Sequence, residues 1–119
     1  MGAIEAYQNN AITTQSRGGL IVMLYDGAIK ALRQSITALE DGNFAAKGQY
    51  IGKATDIIIE LSSVLDMEAG GEIAADLRRL YDFMIAHITQ AHIKNDPQMI
   101  GEVIALLDDI NQGWKAIAD

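Results

Sequence analysis

Residues 20–29, LIVMLYDGAI, decide how the rest of the chain must fold. Side chains three, four and seven apart share a face on an α-helix. On that spacing Leu20, Leu24, Ala28 and Leu32 line one face. Ile21, Tyr25, Ile29, Leu32 and Ile36 line the neighbouring one. A surface helix carries a single apolar stripe. A helix apolar over most of its circumference is central in a bundle or keeps one face for a partner. Asp26 and Gly27 interrupt the run against local propensity. A buried, unpaired carboxylate is costly, so Asp26 must reach solvent or meet a donor such as a tyrosine hydroxyl or a lysine on a neighbouring helix. Gly27 weakens a helix and is explained there by close approach of another backbone.

Working outward, Ser16 is a suitable N-cap, and the first helix is expected over 17–40, with Gly18 and Gly19 weakening its first turn. Asp41-Gly42-Asn43 ends it, because Gly42 suits a left-handed position and Asn43 can cap the next helix. A second helix is predicted over 44–65. Phe44, Ile51, Ala54, Ile58, Leu61 and Leu65 form its seam, and Tyr50, Ile57 and Val64 form a surplus stripe beside it. Residues 66–71 read as a loop. A third helix is predicted over 72–94, with Ile73, Leu77, Leu80, Met84, Ile88 and Ala91 as seam and Tyr81, Ile85 and His92 beside it. Asn95-Asp96-Pro97 is a boundary, with Asp96 as N-cap and Pro97 at the first helical position. The fourth helix, over 97–118, places Ile100, Val103, Leu107, Ile110, Trp114 and Ile117 at alternating steps of three and four.

Four helices of similar length joined by short loops pack as antiparallel neighbours. The expected fold is all-α, an antiparallel four-helix bundle over 16–119. Residues 1–15 stand apart as a short N-terminal helical segment or mobile cap, because Ile4, Tyr7 and Ala11 make only a weak stripe.

The chain has 119 residues, enough for one domain with one core, and half of them are hydrophobic, which argues against overall disorder. A net charge of −7 with scattered lysines and arginines argues against nucleic acid and anionic membrane surfaces as partners. No cysteine is present, so thiol chemistry and disulfides are excluded. The start, MGAIEAYQNN, has neither a basic nor an apolar signal region, and no apolar run reaches the length of a membrane span.

Catalysis finds no foothold. A bundle di-iron site needs Glu three residues before each His, but Met84 precedes His87 and Thr89 precedes His92. Gly70-Gly71 is not followed by a phosphate-loop lysine, and no nucleophile motif exists. No metal, cofactor or enzymatic activity is expected. Two classes remain: a module holding an amphipathic or disordered segment, and a bundle that buries its surplus stripes by self-association. The candidate partner-binding residues are Ile4, Tyr7, Ile21, Leu24, Tyr25, Tyr50, Ile57, Val64, Tyr81 and Met84. Tyrosine offers apolar area and a hydroxyl at low entropic cost, and methionine adapts to varied surfaces.

AYQNN at 6–10 and MLYDGAIK at 23–30 closely resemble the flagellar secretion chaperone (FliS) family. So do Lys53-Ala54, Ile57-Ile58, Glu60-Leu61, Leu65-Asp66, GGEIA at 70–74, LYDFM at 80–84 and Trp114. The resemblance spans nearly the whole chain in order. It implies a four-helix bundle in the bacterial cytoplasm that binds the disordered C-terminal segment of flagellin. The segment would fold as it wraps the bundle, so that premature polymerisation is blocked and type III export assisted. It also implies contacts with export-gate and regulatory flagellar proteins, and an N-terminal segment that covers the groove and moves aside. The alternatives are a self-associating bundle or an adaptor for another flagellar protein, and the empty protein is expected to be a monomer or weak homodimer. One departure is visible. The family commonly opens the first helix with a Ser/Thr-x-Pro-Glu-like stretch, where this chain has TQSRGG at 14–19.

Overall fold

The computed structural model describes residues 17–118. Four helices follow one another: α1 (Arg17–Glu40), α2 (Phe44–Ser63), α3 (Met67–Lys94) and α4 (Pro97–Ile117). The residues predicted to punctuate them do so. Gly42 adopts φ 73°, and the Asn43 side chain accepts from Ala46 N at 3.1 Å. Asp96 accepts from Gln98 N and Met99 N at 2.9 and 3.3 Å, ahead of Pro97. Asn95 takes the left-handed position that ends α3, at φ 52°. Ser16 lies outside the described residues.

One segment departs from expectation. Residues 67–70, read as loop, are helical. Asp66 caps them through Ala69 N at 3.0 Å, which satisfies an otherwise orphaned donor. The sequence signal for a break survives as a kink at Gly71, whose φ of 52° and ψ of −126° are non-helical. A side chain resists that conformation, so Gly71 permits the helical turn to continue into α3 at a new angle.

Contacts at the helix ends fix the topology. Lys47, early in α2, reaches His92 and Asn95, at the end of α3. Asp26, early in α1, meets Asn111 and Lys115, late in α4. His87 of α3 pairs with Glu102 of α4 at 2.7 Å. Sequential helices are therefore antiparallel, and the ring closes between α1 and α4. α1 packs most closely, against α2 and α4, whereas α3 approaches its neighbours less tightly.

The core takes Leu24, Tyr25, Ala28, Ile29 and Leu32 from α1 and Ile51, Ala54, Ile57, Ile58 and Leu61 from α2. α3 supplies Tyr81, Met84, Ile88 and Ala91, and α4 supplies Ile100, Val103 and Leu107. Each large aliphatic side chain buried here contributes about 1.5–3 kcal/mol of hydrophobic stabilisation. The predicted seams hold along their middles and fail at their ends. Phe44, Ile73 and Ile117 are exposed: Phe44 and Ile117 are the end residues of their helices, and Ile73 follows the kink at Gly71.

Asp26 resolves as expected: it is about half exposed, accepts from Asn111 Nδ2 at 2.9 Å and lies 3.5 Å from Lys115 Nζ. Lys47 was not foreseen. It is 4% exposed, yet its ammonium donates to His92 O at 3.1 Å and to Asn95 Oδ1. These groups belong to the C-terminal turn of α3, where a cation also complements the helix dipole. The Phe44 ring lies 5.6 Å from the same ammonium.

Candidate functional site

At the end of the bundle that holds the start of α1, the α2–α3 junction and the end of α4, an apolar groove opens. Ile21, Val64, Leu65, Ile73, Leu77 and Trp114 line it, with Arg17 and Asp66 among its polar residues. A second groove runs between α2 and α3, lined by Ile59, Leu65, Met67 and Ile85 together with Ser62, Ser63, Arg78 and Asp82, so its lining is mixed. Leu65 belongs to both, so the two form one bent track.

Local sequence explains the opening. α2 stops at Ser63, and Val64 leaves the helix with its N–H bonded back to Glu60 O. The two glycines then shape the wall. A Cβ on Gly70 would sit 2.6 Å from the Ala74 Cβ, and Gly71 turns the chain. The run Ile57-Ile58-Ile59 cannot face inward three times on a helix. Ile57 and Ile58 enter the core, and Ile59 is left 51% exposed on the track.

Beneath Trp114 the core contains a polar pair. The Tyr25 and Tyr81 hydroxyls lie 2.6 Å apart, with centroids 6.4 Å apart and rings tilted by 52°. Burial raises the pKa of both phenols above 10.0. For Tyr25, hydrogen bonding with Tyr81 and the nearby Trp114 indole N–H pull in the opposite direction. The indole N–H approaches Tyr25 without reaching hydrogen-bond geometry, so Trp114 Nε1 is buried without a partner, as is Asn111 Oδ1. Neutral phenols in this setting are structural and have no acid–base role.

The residues expected to contact a partner divide accordingly. Val64, 37% exposed, and Ile21, half-buried, lie in the first groove. Tyr50 is half-buried on a different face, between α1 and α2. Leu24, Tyr25, Ile57, Tyr81 and Met84 are core residues, each at most 1% exposed, and none is available as surface. Their expected role is corrected. Periodicity marks them as apolar, but the bundle itself covers the face they occupy. Ile4 and Tyr7 lie outside the described residues. The track instead uses Ile59, Met67, Ile73 and Trp114, of which Ile73 and Trp114 read in the sequence as seam residues. Both histidines are on outer turns of α3: His87 bonds Glu102 and stacks on Phe83 at 5.0 Å, and His92 is exposed.

No helix among the described residues is long and apolar enough to cross a membrane. The family model described as "Flagellar protein FliS" matches residues 1–119. The chain is 45% identical to the flagellar secretion chaperone FliS of Vibrio cholerae over 98% of its own length and 88% of that protein's. It is 46% identical to the Salmonella typhimurium FliS over 92% of this chain and 82% of that one. The Bacillus subtilis FliS matches at 36% identity over 92% and 81%. A crystal structure of a flagellar chaperone from bacteria superposes with a TM-score of 0.79 at 21% identity, covering 98% of this chain and 94% of the other, and supports the same fold. With its whole length matched and its apolar track open, the chain belongs to the FliS family of flagellar secretion chaperones, a family of chaperones and not of enzymes.

Proposed function

We propose that this chaperone binds the disordered C-terminal segment of flagellin in the bacterial cytoplasm, holds it out of filament assembly and assists its type III export. The observation that carries this reading is the apolar groove at the α2–α3 junction, continued through Leu65 into a groove of mixed lining between α2 and α3. Its apolar residues are spread along two helix boundaries instead of gathered in one closed pocket. That suits a segment which orders on binding, because the entropy lost must be offset over a long contact. Ile21, Ile59, Val64, Ile73 and Trp114 are the contacts assigned to it. Residues 1–15, with Ile4 and Tyr7, would join the bundle at Arg17, which lines the first groove. That attachment supports a role for them as reversible cover. Export-gate and regulatory flagellar proteins are the further partners in this reading.

Calorimetric titration of the full chain with a flagellin C-terminal peptide from the same source tests it. One-to-one binding with a large negative heat-capacity change is expected. No binding by a folded monomer would overturn the proposal. No binding by a stable dimer would assign the track to a self-interface.

A further inference from the structure

A second surface lies between α1 and α2 and shares no lining residue with the apolar track. It runs as two adjoining hollows of mixed polar and apolar lining that share Gln34. One is lined by Asp26, Gly27, Lys30, Gln34 and Lys53. The other continues from Gln34 past Thr37 and Asn43 to Tyr50. Three residues of the first hollow, Asp26, Gly27 and Lys30, come from the MLYDGAIK stretch; Asp26 is exposed but holds the buried Asn111 amide, whereas Lys30 is exposed.

The first hollow brings two cationic side chains from different helices to one lining in an acidic molecule. The chain has nine cationic side chains against sixteen acidic ones. Several are already engaged: Lys47 on α3 carbonyl groups, Lys115 on Asp26, Arg79 on Asp76. Arg17 and Arg78 line the apolar grooves. Lys30 and Lys53 are exposed, line the same hollow from two helices, and have no carboxylate within ion-pair distance among the described residues. The carboxylate beside them, Asp26, is held by Asn111 and Lys115, so its charge is countered elsewhere. In the second hollow only Asp41 is acidic, at the end away from the lysines, and half-buried Tyr50 adds an aromatic surface.

We propose that the α1–α2 face is a second docking surface, which takes an extended acidic segment of a protein partner with Lys30 and Lys53 as its charge contacts. Gln34, at the junction of the hollows, offers an amide to the backbone of such a segment, and Tyr50 offers packing area further along. Separation from the apolar track lets both surfaces be occupied together. The inference stands on charge complementarity and is independent of what fills the track.

The test is a titration of the isotope-labelled full chain with an end-blocked hexaglutamate peptide, followed by amide chemical shifts at low salt. Shifts centred on Lys30, Gln34 and Lys53 are expected. Two exposed ion pairs give a modest effect, so Lys30→Glu combined with Lys53→Glu should weaken binding by about tenfold or more. Lys30→Arg with Lys53→Arg should retain it. Both sites are on the surface, and a circular-dichroism melt checks that the bundle is intact. Shifts confined to the surroundings of Arg17 or Arg78 would overturn the proposal, as would binding unchanged by charge reversal. Equal shifts with free glutamate at the same carboxylate concentration would also overturn it, because they would mark a small-anion site.

Discussion

The two ends of this bundle are built on opposite principles. At one end the α1–α2 and α3–α4 loops are tied down. Asn43 and Asp96 cap helices, Gly42 and Asn95 take left-handed positions, and buried Lys47 joins α2 to the end of α3. At the other end α2 stops short, Gly71 kinks α3, and Val64, Met67 and Ile73 are exposed around an apolar groove. Asp66 caps a helix at this end too, so the difference lies in the kink at Gly71 and the apolar side chains left uncovered around it. A binding surface that must receive a long segment is placed away from the region that holds helix register. Mutations should separate these two regions and the core between them.

The largest effect is expected between the ends. Ile57→Asp buries an unpaired carboxylate at a residue that is 1% exposed. It should cost more than about 4 kcal/mol and leave no cooperative melt by circular dichroism. Retention of a folded bundle with weakened peptide binding would instead restore Ile57 to the surface. Next is Lys47→Ala, which removes charged hydrogen bonds to His92 O and Asn95 and the buried aliphatic stem. A loss of about 2 kcal/mol is expected. Hydrogen exchange should quicken at residues 91–96 while residues lining the groove change little.

The tyrosine pair gives a smaller and diagnostic effect. Tyr25→Phe strands the Tyr81 hydroxyl in the core and should cost about 1–2 kcal/mol, whereas the double change to Phe should recover much of that loss. The sign with pH follows from the raised folded-state pKa values. Below pH 10 the phenols are neutral in both states and stability is full. Above it the unfolded phenols ionise while the folded ones retain their protons, so stability falls as pH rises. Thermal melts from pH 8 to 11 should show a shallower decline in the double variant. Ile73→Ser, at a residue 72% exposed, should change stability by less than about 0.5 kcal/mol. It should nevertheless weaken titrated flagellin peptide by about tenfold if Ile73 anchors the client.

The helices were legible because their boundaries are written in backbone chemistry: a left-handed glycine, short-side-chain caps and a proline without an N–H. Residues 66–71 misled because Asp66 and the two glycines carry both loop and helix-cap meanings, and only the geometry at Gly71 separates them. The site was less legible. Leu24, Tyr25, Tyr81 and Met84 show apolar periodicity, but periodicity does not say which of two apolar faces meets a neighbour. Two signals were available in the sequence. Lys47 occupies the missing step between Phe44 and Ile51 in the α2 seam, which marks a lysine in core register. Three consecutive isoleucines require one to face outward, and that one, Ile59, lies on the track. Asn111 follows the same logic, four residues after Leu107 in the inward stripe of α4.

Burial of Lys47 turns one amine into a clock. An amine-reactive reagent should modify exposed Lys30, Lys53, Lys94 and Lys115 promptly, each at its own accessible rate. Lys47 reacts only when its side chain leaves the oxygens of His92 and Asn95 and reaches solvent. Its labelling rate therefore counts how often the tied end of the bundle comes apart. Following that rate by mass spectrometry during client loading would reveal whether filling one end of the protein quiets the other.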